Sequence, residues 1–242
     1  MTPLILALAL VGCQNKALED ENAKLKQRVA DIERTNTRLD SENKALKQQV
    51  ADAAAKAEAQ RKAAMFAQLG LTEGKKLFAV VQTSMGDIRC TLRHDEAPET
   101  VLNFVQLARG EKEWTTPSGE TTKKPLYDGT IFHRVIPDFM IQGGDPKGNG
   151  TGGPGYKFAD EVGSYTVFDH TGILAMANSG PDTNGSQFFI TEGMPTHLNG
   201  KHTILGDCED LDTVAKIARV ETGAQNRPVK DVVIKHIAVS VK

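Results

Sequence analysis

With 242 residues, 39% of them hydrophobic, and 22 glycines, the chain can bury one core of domain size and carry an appendage. A formal net charge of −2 with both signs interspersed excludes a surface built to neutralise phosphates or anionic lipid, so nucleic acid is not an expected partner. Six histidines and three cysteines show no CxxC or HxxxH spacing, so no structural metal is expected.

The chain opens on MTPLILALALVGC, an apolar run too short to span a bilayer as a permanent helix, which takes about 20 residues. LVGC at 10–13 resembles the bacterial lipobox, although no Lys or Arg precedes the run. That resemblance implies that residues 1–12 are a signal peptide and that Cys13 becomes a lipid-bearing first residue. It also implies tethering to a membrane face, with Gln14 favouring the outer membrane.

A period of seven follows. Leu18, Leu25, Ile32, Leu39 and Leu46 stand at d, and Asn22, Val29, Asn36, Asn43 and Val50 at a. The pairs Glu21–Lys26, Arg28–Glu33 and Glu42–Lys47 have the spacing from g to the next e across parallel helices. Asparagines at a lower stability but favour one register, because each amide is satisfied only by a partner at its own level. Residues 13–50 are therefore read as lipid anchor and parallel coiled coil, a dimer with a trimer as the alternative. Residues 51–76 are an Ala-rich helical spacer and linker, broken at Gly70.

The globular domain is placed at 77–242. LFAVVQT and GDIRCTL read as strands, APETVLNFVQLARG as a helix with Val101, Phe104, Val105 and Ala108 on one face, and 111–126 as an exposed loop. TIFHRVI, DFMIQ, GILAMA, SQFFIT, HTILG and VVIKHIAVSV follow as short strands, with a helix at LDTVAKIA. Many short strands, Gly-rich turns and two helices predict a mainly β fold: a closed antiparallel barrel with each open end covered by a helix.

GNGTGG at 148–153 fits a GxGxxG pattern, but Pro154 and Gly155 stand where a helix should start, which argues against dinucleotide binding. No serine sits in a nucleophile elbow, and no spacing forces two carboxylates together. What remains is a mixed set on strands. Phe139, Met140, Phe189 and Leu198 can line an apolar cup, while Arg134, Gln142, Asn178, Gln187 and His202 bring donors and acceptors to its edge.

FHRVIPDFMIQGGD, GNGTGG, ILAMANSGPDTNGSQFFIT and LNGKHTILG resemble, in order and spacing, the signature blocks of the cyclophilin family of peptidyl-prolyl cis-trans isomerases, from about Leu77 to the C-terminus. The resemblance implies an eight-stranded antiparallel barrel capped by two helices, with proline-containing polypeptides as substrates bound on its outer face, and no cofactor. It implies that Phe139, Met140, Phe189 and Leu198 form the proline pocket with His202 at its edge, and that Arg134 and Gln142 face the isomerising bond. It further implies that Ala177 and Asn178 hold the substrate extended, that Gln187 lies near the site, and that His133 stands behind it. His197 occupies a pocket position where many members carry a Trp associated with cyclosporin, so weak drug sensitivity is expected.

If Cys13 carries lipid, Cys90 and Cys208 are an even pair that an oxidising envelope can bridge; two buried free thiols are the alternative. Three functions are open: an envelope-tethered prolyl isomerase assisting protein folding, a tethered proline-peptide binding module, and a structural coiled-coil lipoprotein.

Overall fold

The computed structural model describes the backbone of residues 3–72 and 74–242, and within that range the side chains from Lys16 onward. Residues 1 and 2 and the side chain of Cys13 lie outside the described residues, and with them the start of the signal and the lipid attachment. The chain divides into two compact units, Met1–Gln60 and Arg61–Lys242.

Helix α1, Pro3–Leu69, supplies the first unit, and its last turns belong to the second. From Cys13 to Leu69 the sequence holds neither Gly nor Pro, so nothing interrupts the hydrogen-bond ladder. Gly70 ends it at φ 71°: its amide donates to Ala67 O (3.1 Å), and Leu71 donates to Phe66 O (2.9 Å), the paired bonds of a Schellman ending. The heptad positions Leu18, Leu25, Val29, Ile32, Leu39, Leu46 and Val50 all stand exposed on the helix. Among the described residues no helix is long and apolar enough to cross a membrane.

In the second unit, β1 (Leu77–Thr83), β2 (Gly86–Leu92), β5 (Arg134–Ile136), β6 (Met140–Gly143), β7 (Ile173–Met176), β8 (Phe188–Thr191), β9 (Ile204–Cys208) and β10 (Ile234–Val241) form one antiparallel sheet in the order β10-β1-β2-β9-β7-β8-β6-β5. The eight expected strands are present, but they curl into a half-barrel rather than the closed barrel expected. Its two end strands, β10 and β5, share no ladder; Ile131, just before β5, makes an isolated bridge to Val233, with Phe132 donating to Val232 O and Ile234 to Thr130 O. The polar stretch expected as a loop carries a small hairpin, β3 (Trp114–Thr115) with β4 (Thr121–Thr122).

Alternation along the strands sorts side chains into two layers. Val135, Ile141, Leu174, Met176, Phe188 and Ile190 point inward and join Phe104, Tyr127 and Phe132 in the main core. There Phe188 meets Phe104, Tyr127 and Phe132 edge-on at 5.7, 5.6 and 6.2 Å, a geometry worth about 0.5–1.5 kcal/mol per pair beyond area burial. Their sequence neighbours point outward, where they form a second cluster.

Helix α2, Pro98–Arg109, buries Val101, Phe104, Val105, Leu107 and Ala108. Its own N-cap, Ala97, offers no side-chain acceptor; the carboxylate of Glu161 serves instead, accepting from the amides of Glu99 (3.1 Å) and Thr100 (2.8 Å). Helix α3, Leu211–Ala218, buries Val214, Ile217 and Ala218. Cys90 on β2 and Cys208 on β9 are register partners and are joined by a disulfide, which resolves the alternative left open by the sequence.

Candidate active site

The outward layer of β6, β7, β8 and β9 is a second apolar cluster: Met140, Phe168, Ile173, Ala175, Phe189 and Ile204, with Ile136, Phe139, Ala177 and Leu198 packed around it. Four residues expected to line a cup, Phe139, Met140, Phe189 and Leu198, are thus brought together. Phe168 is the member the sequence reading missed. It is fully buried and stacks on Phe189 at 5.8 Å with 17° between planes, forming the floor beneath it. Its amide donates to Asn199 Oδ1 (2.8 Å), so the LNGKH block holds the floor as well as the wall.

Arg134 and Gln142 are register partners on β5 and β6, and Gln142 faces Phe189 on β8. Arg134 therefore sits at an outward position, beside the cup rather than in the core. Its Nη1 donates to Gln142 Oε1 at 3.3 Å, lies 4.0 Å from Met140 Sδ, and its guanidinium carbon is 5.8 Å from the Phe139 ring centre. Every other arginine in residues 61–242 pairs with a carboxylate: Arg61 with Glu99, Arg89 with Asp210, Arg93 with Asp207, Arg109 with Glu111, Arg219 with Asp138, Arg227 with Asp231. Arg134 has no such partner among the described residues. Its charge remains available to whatever enters the cup.

A relay of amides fixes that guanidinium. Gln142 Nε2 donates to Gln187 Oε1 (3.0 Å), and Gln187 Nε2 donates to the carbonyls of Gly150 (3.0 Å) and Gly152 (2.8 Å). The glycine-rich segment supplying those carbonyls wraps the buried carboxylate of Asp145, which accepts from the amides of Lys147, Asn149 and Gly150 at 2.7, 3.1 and 2.6 Å. A Cβ at Gly152 would fall 1.9 Å from Asp145 Oδ1, so glycine is required there. GNGTGG therefore acts as a scaffold for the arginine, in a role its pattern does not announce.

Ala177 and Asn178 follow β7 on the opposite rim. The Ala177 amide donates to Gln187 O (2.9 Å), and Asn178 Nδ2 donates to Lys201 O (2.9 Å), so the side-chain amide of Asn178 shapes the rim. His202 Nδ1 donates to Met176 O (3.0 Å) and its ring meets Phe189 edge-on at 5.5 Å. Because a carbonyl can only accept, the neutral ring carries its proton on Nδ1 and keeps Nε2 as an acceptor. Burial pushes its pKa below the usual histidine value, opposed by the bond to Met176 and by Asp160. His197 is exposed and lies 5.8 Å from the Phe139 ring at a 31° tilt. His133 lies behind Arg134, only 6% exposed, with neither ring nitrogen bonded among the described residues; burial, then Arg134 and Arg227, lower its pKa against Asp145.

The profile of the family described as cyclophilin type peptidyl-prolyl cis-trans isomerase matches residues 78–239. The chain belongs to the cyclophilin family. This cyclophilin is 51% identical over 173 residues to peptidyl-prolyl cis-trans isomerase B of Streptomyces anulatus, covering 69% of the chain and 99% of that relative. It is 52% identical over 171 residues to a probable peptidyl-prolyl cis-trans isomerase A of Mycobacterium bovis, covering 67% and 91%. Its fold matches the crystal structure of a cyclophilin type isomerase of Cryptosporidium parvum, determined in the presence of the dipeptide Ala-Pro, with a TM-score of 0.59 and 34% identity over 67% of this chain and 98% of that one. This cyclophilin is thus a peptidyl-prolyl cis-trans isomerase whose substrates contain proline.

Proposed function

We propose that isomerisation takes place on the outer cup, with Arg134 as the catalytic cation. The carrying observation is that a guanidinium with no carboxylate partner among the described residues, held by the Gln142–Gln187 relay, stands against the outward apolar cluster that holds Phe139, Met140, Phe189 and Leu198. The X-Pro amide resists rotation by about 18–20 kcal/mol of resonance and turns over in tens to hundreds of seconds unaided. No bond breaks, so no nucleophile is needed. Resonance weakens as the proline nitrogen becomes pyramidal, and a guanidinium donating toward that nitrogen stabilises the twisted state above either planar one. Phe139, Met140, Phe189 and Leu198 grip the ring, and Gln142 with His202 Nε2 orients the neighbouring amide and wall. Ala177 and Asn178 present backbone that keeps the substrate extended. Amide shifts during titration with an Ala-Pro peptide test this: they should concentrate on Met140, Gln142, Ala177, Asn178 and Phe189, and shifts confined to another face would contradict it.

The same reading places the enzyme in the bacterial envelope, lipid-anchored through Cys13 at the outer membrane and facing the periplasm, where it assists folding of exported chains. The Cys90–Cys208 bridge supports an oxidising compartment. The exposed heptad seam supports pairing of two chains along α1, which would present two isomerase heads on one tether. Membrane fractionation of wild type against Cys13→Ala tests the anchor: the variant should become soluble, and an unchanged distribution would remove it.

A further inference from the structure

The turn joining β5 to β6, Ile136-Pro137-Asp138-Phe139, is closed by the Phe139 amide donating to Ile136 O at 3.2 Å. Pro137 suits the second place of such a turn; the third takes negative φ in the type I form and positive φ, favouring glycine, in the type II form. Asp138 occupies it, at φ 59°. Asp and Asn are the residues other than glycine that enter left-handed backbone most readily, at a cost that surrounding contacts offset.

Those surroundings are explicit. The Asp138 amide donates to the carboxylate of Glu192, which follows β8 and is only 12% exposed at its side chain. Arg219, at the end of α3, donates with one nitrogen to Glu192 and with the other to Asp138 Oδ1 at 2.9 Å. The Phe139 carbonyl accepts from the amides of Glu192 (2.9 Å) and Gly193 (3.1 Å). The two backbones approach so closely that a Cβ at Gly193 would fall 2.1 Å from Asp138 O. The Arg219–Glu192 pair aside, each of these links ends on Asp138 or on Phe139 itself, and none of the residues involved belongs to the main core.

We propose that Arg219 is a positioning residue of the isomerase: by tying Asp138 to Glu192 it holds the left-handed turn and so sets the Phe139 wall of the proline cup. This rests on the reading of Phe139 as a cup wall. Arg219 itself touches no substrate. It acts on affinity for the proline ring, leaving the rotation step at Arg134 unaffected.

The test is steady-state isomerisation of a proline tetrapeptide by the full chain, with melting curves alongside. Arg219→Met should raise KM about fivefold while kcat stays within about twofold, the size of effect expected from releasing one strained backbone position. Adding Asp138→Gly to Arg219→Met should return KM to within about twofold of wild type, because glycine adopts the turn without the clamp. A purely structural role would not give that rescue. Wild-type KM in Arg219→Met, or a double variant no better than the single, overturns the proposal. Should Arg219→Met fail to fold, Glu192→Gln should raise KM alone and have no effect in the Asp138→Gly background; equal effects in both overturn it. Phe139→Ala separates the two layers of argument. If it leaves KM unchanged, the cup reading has failed; if it raises KM while Arg219→Met does not, the clamp alone has failed.

Discussion

Opening the Cys90–Cys208 bridge by the double substitution Cys90→Ala, Cys208→Ala should lower the melting temperature of the isomerase unit substantially. The bridge spans 118 residues of chain and joins register partners on β2 and β9, a seam with only three residue pairs in its ladder. Loop-closure entropy for a span of that length amounts to about 5 kcal/mol of stabilisation, and for a unit of this size each kcal/mol moves the midpoint by about 2–4 °C. A fall of roughly 10–20 °C follows. The assay is thermal melting by circular dichroism of wild type and double variant, with mass spectrometry to confirm that the wild-type bridge is closed. A midpoint lowered by under about 3 °C would refute the reasoning, since loop closure at this length corresponds to a several-fold larger shift.

Three further outcomes follow from the same structure. Glu161→Ala removes the acceptor for two α2 amides and should cost about 1 kcal/mol, read as a lower melting temperature with an unchanged denaturant slope. His133 and His202 both titrate below the ordinary histidine value of 6.5, so the folded state binds fewer protons than the unfolded chain as pH falls past that point. The stability they contribute is present above pH 6.5 and lost as pH falls through their folded values; melting between pH 8 and 5 should show this, and His202→Gln should flatten part of the slope. Ile32→Asp in the exposed heptad seam should halve the mass of the full chain in sedimentation equilibrium, whereas a wild-type chain already at single mass would remove the coiled-coil pairing.

What the sequence shows plainly is whatever depends on alternation. In RVI and MIQ the polar members fall on one side, and Arg134 and Gln142 face outward together because strand side chains alternate with period two. Phe188 and Phe189 separate into core and cup for the same reason. The strand order and the incomplete final seam are tertiary facts: Ile131 bridges Val233 across about a hundred residues, which no local pattern encodes. Phe168 carries no such signal because it lies in a turn-rich stretch, GSYTVFDH, with no strand of its own. The sequence brings Gln187 near the site without giving its role, because that role lies in two glycine carbonyls that only the folded loop supplies. The 114–122 hairpin escaped because two-residue strands are too short to show a period.

The central claim is that Arg134 acts on the twisted amide more than on the bound ground state. Kinetics of Arg134→Ala and Arg134→Lys, with peptide affinity measured separately on the same proteins, test it directly. Turnover should fall about 10²–10³-fold in the alanine variant while the peptide Kd changes by no more than about threefold. Lysine should rescue poorly because it lacks the planar fork. Turnover and affinity falling in equal measure, or near-wild-type rates in either variant, would contradict the assignment.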